Sequence, residues 1–452
     1  MNKNALEINA ENFQTEVIES DKPCLVDFYS TECPPCEALA PKFESLADKF
    51  SPEVKFVKIF RQENRELADK LEVSSSPTLL FFKNGNEVYR RLSGGVQKSK
   101  IVEGIKELLS EEIFASLNTP APIKKEEADL IILGAGPAGM AAAIYAAQAK
   151  LKTVLIDQGM PGGQVSTTHT ISNYPGTGKA IPGYELVHNM QTQAEEAGAL
   201  IYAAVEVNQV SFENTEDNEN LKTVLIDNEI ELSAPALILA SGAEPRSLNI
   251  PGETEFKGSG ISYCATCDGK YYDNKELIVI GGGNSAVEES LFLTKFASKI
   301  TMVHQFDHLQ ANKSAQETIL QNDKVGIRWD SEPRIFEKTS DGKMRVTIEN
   351  IKTNERSTVE ADGVFIFVGM SPNNSIIPSS IEVNEWGYIP TNENMETNVS
   401  GVYAVGDIRE KNIRQAITAA SDGAIAAIYA ERHNASLKNK QDSLKHKSAV
   451  LV

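Results

Sequence analysis

Two cysteines separated by two residues mark the stretch of the chain with the clearest chemistry, Ser262-Tyr263-Cys264-Ala265-Thr266-Cys267-Asp268-Gly269. A pair with this spacing can close a small disulfide that accepts two electrons, and the adjacent carboxylate of Asp268 can handle the accompanying proton. The same spacing is also half of a tetrahedral zinc site. Zinc would need two more Cys or His ligands nearby, and the flanking sequence supplies none. The stretch therefore predicts a redox centre and no metal site.

Two glycine-rich turns flank this pair, each lying between an apolar strand and a helix. The first is Gly134-Ala135-Gly136-Pro137-Ala138-Gly139, and the second is Gly281-Gly282-Gly283-Asn284-Ser285-Ala286. Their glycines permit a tight turn and let N–H groups at a helix N-terminus approach a pyrophosphate. Asp157 ends the next strand 23 residues after Gly134 (157 − 134), where an acid can bind ribose hydroxyls. The pattern predicts two Rossmann-like, doubly wound α/β units around the cysteine pair.

Composition and charge limit the classes of partner. The 452 residues are enough for two to four domains, and the net charge of −19 argues against binding to nucleic acid or anionic membrane, which are polyanions. Residues 1–7 have no apolar core and do not predict a secretory signal. The apolar run 130–147 is interrupted by glycine and proline, which favours a buried strand and helix over a membrane span. Four of the five cysteines form two Cys-x-x-Cys pairs, which fits catalytic dithiols in a reducing cytoplasm.

The second cysteine pair lies near the N-terminus, in Cys33-Pro34-Pro35-Cys36, where it opens a helix after the apolar strand Cys24–Tyr29. The helix dipole and the free N–H groups stabilise a thiolate at such a position and lower its pKa. Cys33 is therefore predicted to be the attacking sulfur and Cys36 the resolving one. Cys24 is predicted to be a small buried residue.

The first 115 residues resemble thioredoxin along their whole length, through V-D-F, C-x-P-C, S-P-T before an apolar strand, and K-N-G. The resemblance implies that Pro77 is a cis proline packed against the cysteines. It also implies that Asp27 is a buried carboxylate that assists proton transfer at the resolving cysteine. Glu32 replaces the usual tryptophan, and Pro34-Pro35 replaces the usual Gly-Pro. These departures mean that the redox potential and the partner surface do not carry over.

Residues 116–127 are predicted to be a linker, because two prolines are followed by charges without an apolar period. Ten extended residues would reach about 35 Å, and such a tether gives an effective concentration on the order of millimolar. The thioredoxin-like unit is therefore predicted to be a resident substrate of the rest of the chain. Residues 436–452 are predicted to be a solvated tail.

A second resemblance covers roughly residues 128 to 435. The motifs G-x-G-P-A-G, P-G-G-Q, N-Y-P-G, C-A-T-C-D-G, G-G-G-x-S-A-V-E-E and G-D-I…R-Q-A resemble those of the low-molecular-weight, FAD-containing thioredoxin reductases. The resemblance implies an FAD domain of residues 128–247 and 371–435 and a homodimer. The residues implied to bind FAD are Gly134, Gly136, Pro137, Ala138, Gly139, Asp157, Gly162, Gly163, Gln164, Asn173, Gly406, Asp407, Arg414, Gln415 and Ala416.

The same resemblance implies that residues 248–370 form a nicotinamide domain, inserted in the FAD domain, that carries the central cysteine pair. This domain rotates in the family, so that either the nicotinamide or the disulfide meets the flavin. Cys267 is implied to be flavin-proximal, Cys264 to face thioredoxin, and Asp268 to be the acid. The residues expected to bind the nicotinamide dinucleotide are Gly281, Gly283, Asn284, Ser285, Ala286, His304 and Gln305.

One departure bears on the electron donor. The strand after the second turn ends at His304, 23 residues after Gly281 (304 − 281). NADPH-using relatives then carry three arginines around the 2′-phosphate, at the positions that hold Gln305, Phe306 and Gln310 here. A charge-assisted hydrogen bond is worth about 1.5 to 3 kcal/mol, so their loss should weaken NADPH binding by roughly a hundredfold or more. NADH is therefore predicted over NADPH. The alternative is that Lys313, His304 or His308 replaces the arginines and NADPH is used.

The motifs together predict a flavoprotein disulfide reductase. Electrons would pass from NAD(P)H to FAD, to Cys264/Cys267, to Cys33/Cys36 and on to client disulfides. One alternative is the NADH-dependent flavoprotein of alkyl hydroperoxide reductase, but its extension holds two thioredoxin-like units where this chain has room for one. A peroxiredoxin is a predicted client of either enzyme. A ferredoxin-fed reductase would leave the second phosphate turn without a role, and a redox sensor or chaperone would show slow turnover.

Overall fold

The computed structural model describes residues 4–120, 122–168, 170–215 and 218–450. The chain forms a thioredoxin fold followed by two Rossmann-like units, the second inserted in the first, which confirms the predicted fold class. No helix in the described part of the chain combines the length and apolarity needed to cross a bilayer.

The thioredoxin unit is a mixed sheet with helices on its faces. Its elements are β1 (Ala5–Ile8), β2 (Cys24–Tyr29), α1 (Pro34–Phe50), β3 (Lys55–Phe60), α2 (Arg65–Lys70), β4 (Thr78–Lys83), β5 (Asn86–Glu87), β6 (Leu92–Ser93), α3 (Lys98–Leu108) and α4 (Glu111–Leu117). The sheet order is β1-β3-β2-β4-β5, with β6 also paired to β4; β1, β3 and β2 are parallel and β4 is antiparallel to β2. The central strand β2 is apolar on both faces because helices cover both sides. Cys24 in this strand is a buried free cysteine, as predicted.

The unit predicted to bind FAD, called the FAD unit below, follows with a parallel sheet and a small antiparallel one. Its elements are β7 (Lys124–Glu127), β8 (Leu130–Leu133), α5 (Pro137–Gln148), β9 (Thr153–Ile156), α6 (Gly163–Ser166), α7 (Gly183–Ala197), β10 (Leu200–Tyr202), β11 (Val207–Thr215), β12 (Asn218–Ile226), β13 (Ile230–Ala234), β14 (Ala236–Leu239) and β15 (Ala243–Pro245). The parallel sheet runs β10-β9-β8-β14, and the second sheet runs β11-β12-β13-β7.

The inserted unit, predicted to bind the nicotinamide dinucleotide and called the nicotinamide unit below, repeats the parallel design. Its elements are α8 (Glu253–Phe256), β16 (Ile261–Ser262), α9 (Ala265–Asp268), β17 (Glu276–Ile280), α10 (Asn284–Leu293), β18 (Lys299–Val303), α11 (Lys313–Leu320), β19 (Val325–Arg328), β20 (Ser331–Lys338), β21 (Met344–Asn350), β22 (Arg356–Ala361) and β23 (Gly363–Ile366). The parallel order is β16-β23-β17-β18-β19, while β20, β21 and β22 form an antiparallel meander.

The chain then returns to the FAD unit through β24 (Met370–Pro372), β25 (Val402–Ala404) and α12 (Ala416–Val450). β24 pairs antiparallel with β15, so the outgoing and returning segments form a two-stranded ribbon between the units. β25 pairs with β14 and extends the FAD sheet. The ribbon supports domain boundaries near residues 248 and 370, which stay predictions.

Helices α5 and α12 pack closely in the core of the FAD unit. The alanines of α5 are buried almost throughout the helix, and those of α12 join the same cluster. A Cβ on Gly423 would lie 2.0 Å from the carbonyl oxygen of Ala138, so only glycine lets the two helices approach this closely. This packing holds the first glycine-rich turn, at the start of α5, in position.

The predicted linker 116–127 differs from the structure. Residues 124–127 form the edge strand β7, which pairs in parallel with Ile230–Ser233. Lys125 also forms an ion pair with Glu231 at 3.1 Å. The charges that suggested a linker are those of an exposed edge strand. The connection without regular structure is therefore residues 118–123, of which residue 121 lies outside the described part.

The predicted solvated tail also differs, because α12 continues without interruption to Val450. No glycine or proline occurs after Gly423, so nothing in the sequence ends the helix. Near the start of the predicted tail, Asn434 Nδ2 donates to the carbonyl oxygen of Asp129 at 2.8 Å and Lys438 pairs with its carboxylate. Residues 451 and 452 lie outside the described part.

Candidate active site

The N-terminal cysteine pair forms a disulfide at the start of α1. Cys33 is the N-cap, and its Sγ accepts a hydrogen bond from the backbone N–H of Cys36 at 3.3 Å. Pro34 follows at the first helical position, where the missing N–H is not needed. The Sγ of Cys33 lies 3.4 Å from the carbonyl oxygen of Ser76, and the Ser76–Pro77 peptide is cis, as the resemblance implied. The Cys36 N–H and the positive end of the helix dipole favour a Cys33 thiolate after reduction.

Asp27 lies in β2 and is 3% exposed. Its Oδ1 has no hydrogen-bond partner. Burial raises the pKa of this carboxyl to about 7, against a smaller opposing effect of Lys58. A carboxyl with that pKa is partly protonated at neutral pH, so it can give and take a proton.

The central pair, Cys264 and Cys267, repeats this geometry. Cys264 is the N-cap of α9, its Sγ accepts a hydrogen bond from Cys267 N at 3.2 Å, and the two residues are joined in a disulfide. The Oδ2 of Asp268 accepts a hydrogen bond from Ser262 Oγ at 2.7 Å, which orients the carboxylate beside the pair. Both disulfides therefore lie at helix N-termini, and the carboxyl group of Asp268 directly follows the central pair.

The first glycine-rich turn has the form of a dinucleotide site. A Cβ on Gly139 would lie 1.8 Å from the carbonyl oxygen of Gly134, so this glycine is required by packing. A Cβ on Gly136 would meet nothing within 4 Å, which leaves open space at the N-terminus of α5. Asp157 accepts hydrogen bonds from Ala135 N at 2.6 Å and Gly159 N at 2.7 Å. Burial raises the pKa of Asp157, and those two hydrogen bonds oppose the increase.

Buried polar atoms without a hydrogen-bond partner lie at the other part of the predicted FAD site. They are Asp407 Oδ1, which Lys411 Nζ approaches only to 3.7 Å, and Arg414 Nε, whose guanidinium group lies over the Tyr388 ring. Burial raises the pKa of Asp407. A buried acceptor and donor of this kind fit a ligand rich in hydroxyl and carbonyl groups. The residues present therefore fit FAD.

The remaining predicted FAD residues lie on the segments around this space. Gly162 and Gly163 both have positive φ, and a Cβ on Gly163 would lie 3.4 Å from Gly136 Cα. Gln164 Nε2 donates to the carbonyl oxygen of Ala243. Pro137 and Ala138 begin α5, Gly406 begins a short 3₁₀ turn, and Ala416 begins α12. Their roles as ligands stay predictions.

Side chains from two units meet beside the central cysteines. Asn173 Nδ2 donates to Gln415 Oε1 at 3.3 Å, and Gln415 Nε2 donates to Thr266 Oγ1 at 3.2 Å. Lys270 Nζ donates to Ser172 Oγ at 2.5 Å. Thr266 lies between the two cysteines, so the structure brings the disulfide to predicted FAD residues.

The second glycine-rich turn packs against His304. Gly281 has φ +127°, and Gly283 caps α10, which begins with Asn284, Ser285 and Ala286. A Cβ on Gly282 would lie 2.5 Å from the His304 ring. The ring is buried, its Nε2 lies 3.0 Å from the His308 carbonyl oxygen, and burial lowers the pKa of the imidazole. His304 is therefore a neutral residue at neutral pH.

The three positions that carry arginines in NADPH-using relatives lie around this ring. Gln305 and Gln310 are exposed, and Phe306 is half-buried against His304 at 5.4 Å between ring centroids. The backbone N–H of Gln310 donates to the Gly282 carbonyl oxygen at 2.8 Å, which places it beside the turn. The nearby exposed carboxylate of Asp307 pairs with Lys352 at 3.5 Å and contacts His308 Nδ1 at 2.8 Å.

The structure does not bring the two cysteine pairs together. In the described part of the chain, Cys33 and Cys36 form no hydrogen bond or disulfide with Cys264 or Cys267. The thioredoxin unit instead contacts the FAD unit, for example through Lys98 and Glu229.

Sequence reasoning missed Glu289 in α10. Its Oε2 is buried without a hydrogen-bond partner, burial raises the pKa of the carboxyl, and a backbone hydrogen bond from Ala265 at the redox helix opposes that increase. A sequence signal for Glu289 was its place next to the apolar face of helix α10. That buried face consists of Ala286, Val287, Ser290 and Leu293. The carboxyl group of Glu289 therefore lies against the N-terminus of the redox helix α9.

Comparison with known proteins gives two family matches. The thioredoxin model matches residues 4–107, and the pyridine nucleotide-disulphide oxidoreductase model matches residues 128–423. Thioredoxin reductase of Bacillus subtilis is 43% identical over 317 residues, covering 70% of this chain and 98% of that protein. The 34.2 kDa protein in the rubredoxin operon of Clostridium pasteurianum is 43% identical over 310 residues, covering 69% of this chain and 98% of that protein.

Solved structures give the same result. Thioredoxin reductase from Streptococcus pyogenes matches with a TM-score of 0.63 and 40% identity, covering 69% of this chain and 99% of that one. The enzyme from Giardia duodenalis matches with a TM-score of 0.62 and 33% identity, with the same coverage.

The chain belongs to the pyridine nucleotide-disulphide oxidoreductases, and within them to the FAD-dependent thioredoxin reductase family. A thioredoxin domain precedes the reductase part, so the chain is a fusion of the two.

Proposed function

We propose that the chain is a self-contained thioredoxin system that takes electrons from NADH and delivers them to protein disulfides. The observation that carries this proposal is the contact of Thr266, between the central cysteines, with Gln415 of the predicted FAD site. This contact supports a disulfide beside the predicted flavin site, in a chain that also carries its own thioredoxin disulfide. The predicted FAD residues, among them Asp407 and Gln415, would hold the flavin, which would supply two-electron chemistry between the nicotinamide and the Cys264–Cys267 disulfide.

Thiol–disulfide exchange then moves the two electrons to the thioredoxin domain. The Cys264 thiolate attacks Cys33 Sγ, the Cys33–Cys36 bond breaks, and the Cys36 thiolate leaves and takes a proton from Asp27. The Cys267 thiolate next attacks Cys264, which breaks the mixed disulfide, restores the central disulfide and releases Cys33 as a thiolate. The helix N-termini at Cys33 and Cys264 favour these thiolates, and the pKa of Asp27, about 7, suits proton transfer at neutral pH.

The surroundings of the second turn support NADH as the donor. A 2′-phosphate would meet Gln305 and Gln310 in place of arginines, and the neutral His304 ring supplies no positive charge. His308 is 2.8 Å from Asp307, so its ring is engaged by a carboxylate. Three residues were considered as substitutes for the arginines, and Lys313, at the start of α11, is the one left to contact a 2′-phosphate. One lysine replaces less binding energy than a bidentate arginine cluster.

The partners follow from this chemistry. Reduced Cys33 and Cys36 would reduce disulfides of client proteins, and a peroxiredoxin is the client class that we propose. We also propose a homodimer in the cytoplasm. The dimer is supported by exposed apolar side chains on α5 and α12, which are Tyr145, Ile417 and Ile428.

The donor is tested by anaerobic stopped-flow bleaching of the bound flavin with NADH and NADPH side by side. We expect bleaching by NADH at low concentration to be at least about tenfold faster, because two or more charge-assisted bonds to the 2′-phosphate are missing. Faster bleaching by NADPH would contradict the donor assignment, and bleaching by neither would favour a ferredoxin donor.

The relay is tested with Cys33→Ser. This change removes the attacking sulfur but leaves the reductase part intact, so insulin reduction should be lost while flavin bleaching keeps its wild-type rate. Cys24→Ser is the matched control, because Cys24 is a cysteine of the same domain that forms no disulfide. Insulin reduction that survives Cys33→Ser would contradict the relay.

A further inference from the structure

The thioredoxin domain contacts the FAD domain through a buried lysine. Lys42 Nζ, on α1, donates to the carbonyl oxygens of Val96 at 3.2 Å, Ala203 at 3.1 Å and Ala204 at 2.5 Å. Val96 belongs to the thioredoxin domain, whereas the two alanines follow β10 of the FAD domain. An ammonium group has three donors, and each of them has an acceptor here. Lys42 is therefore fully hydrogen-bonded only when the two domains are in contact.

A second lysine adds an ion pair to the same contact. Lys98 Nζ lies 2.7 Å and 2.8 Å from the two carboxylate oxygens of Glu229 and 3.0 Å from Ser45 Oγ. Asp227, in the same turn as Glu229, attracts the Lys42 charge. The basic residues lie on the thioredoxin domain and the acidic ones on the FAD domain. Such charge complementarity fixes the orientation of two surfaces.

A loop before α3 completes the contact. Gln97 Nε2 donates to the Gln158 carbonyl oxygen at 3.1 Å. A Cβ on Gly95 would lie 2.8 Å from Met160 Cγ, so the absence of a side chain at Gly95 lets the two loops touch. The contact thus combines polar and van der Waals interactions along residues 158–160.

Hydrogen bonds within the FAD domain preorganise its side of the contact. Asp157 Oδ1 accepts from Gly159 N at 2.7 Å, and the Gly159 carbonyl oxygen accepts from Ala204 N at 2.8 Å. Ala204 is fully buried and has φ +53°, a conformation that non-glycine residues adopt only when their surroundings impose it. Its carbonyl group is thereby held toward Lys42. A rigid acceptor lowers the entropy cost of docking.

We propose that the FAD domain carries a docking surface for the fused thioredoxin domain, separate from the Cys264–Cys267 centre. The docking surface binds the basic face of the same chain's thioredoxin domain through Lys42 and Lys98. It consists of residues 157–160, 203–204, 227 and 229.

The docked arrangement differs from the one needed for electron transfer. Attack by Cys264 on Cys33 requires the two sulfur atoms to be in contact, and the docking contacts involve neither. Thr31, Glu32 and Pro34, which surround Cys33 in sequence, stay exposed in the docked domain. The connection 118–123 reaches roughly 20 Å, so the domain remains close when it leaves the surface. The docked domain therefore keeps its disulfide face open to clients.

Lysine footprinting of the full-length oxidised protein tests the proposal. The protein is treated briefly with an acetylating reagent, and the labelling rate of Lys42 is read by mass spectrometry. In Lys98→Glu and in Glu229→Lys, the ion pair becomes a like-charge pair. We expect Lys42 to be labelled roughly five- to tenfold faster in each, because the domain undocks more often. The double exchange Lys98→Glu/Glu229→Lys should return the rate to within about twofold of the wild type.

Lys100→Glu is the matched control, since Lys100 is two residues away and pairs with Glu103 inside the thioredoxin domain. It should leave the Lys42 rate unchanged. Wild-type labelling in both single variants, or a double variant as fast as the singles, would overturn the docking surface. The measurement uses no pyridine nucleotide and no turnover, so its outcome is independent of the proposed donor and relay.

Discussion

Replacing Asp27 with asparagine should stabilise the thioredoxin domain at alkaline pH. The carboxyl is 3% exposed and its Oδ1 has no hydrogen-bond partner, and burial holds its folded-state pKa near 7. The unfolded chain has the ordinary value near 4. The folded state therefore binds the Asp27 proton more tightly than the unfolded state does. The free energy of unfolding of the wild-type domain falls as the pH rises from about 4. The contribution of the Asp27 proton is fully lost above about pH 7.

The size of the effect follows from that shift. A difference of about three pH units corresponds to about 4 kcal/mol between the two states. Asparagine keeps the shape and removes the charge, so Asp27→Asn should gain about 2 to 4 kcal/mol over the wild type at pH 8 and under about 1 kcal/mol at pH 4. The same change removes the proposed proton donor to Cys36 and should slow insulin reduction at neutral pH without affecting flavin bleaching.

The assay is hydrogen exchange of the β2 and β4 amides in the full-length protein, followed in denaturant from pH 4 to 8. It reports the opening of the thioredoxin domain separately from the rest of the chain. Asp69→Asn is the control, because Asp69 is exposed in the same domain. The reasoning would be refuted if Asp27→Asn and the wild type kept a constant stability difference across this pH range.

Two further predictions concern the nucleotide sites. The double change Gln305→Arg/Gln310→Arg should raise kcat/KM for NADPH about 10- to 100-fold and leave kcat/KM for NADH within about threefold. The reason is that the new guanidinium groups bind only the 2′-phosphate. An unchanged ratio of the two kcat/KM values would contradict the donor assignment. The Gly136→Ala variant should fold normally but lose FAD affinity, since its Cβ would enter the open space where FAD is predicted to bind. The Gly139→Ala variant should instead lower the melting temperature of the apoprotein, since its Cβ would lie 1.8 Å from a carbonyl oxygen. Titration with FAD and thermal unfolding distinguish the two, and equal behaviour would be evidence against a ligand at Gly136.

Local motifs were enough to predict the fold class and both redox centres. Each Cys-x-x-Cys pair and each glycine-rich turn is contiguous, and the backbone geometry that it needs is set by neighbouring residues. The cis peptide at Pro77 and the buried Asp27 came from the thioredoxin resemblance, and both were confirmed.

The two corrections concern segments whose composition is ambiguous. Charged residues 124–127 suggested a linker, but their pairing partner, β13, lies about a hundred residues later. The residues after 435 suggested a tail, although the absence of glycine and proline was a sign of the helix. Strand pairing depends on what lies alongside in space, and no local pattern encodes it.

The meeting of distant residues was decided by the tertiary structure. Thr266 contacts Gln415 across 149 residues, and Lys42 contacts Ala204 across 162. A sequence names the groups that can do chemistry because side-chain type and local backbone suffice for that. Which groups share a site depends on how separately folded units pack, and that packing is the sum of many weak contacts spread along the whole chain.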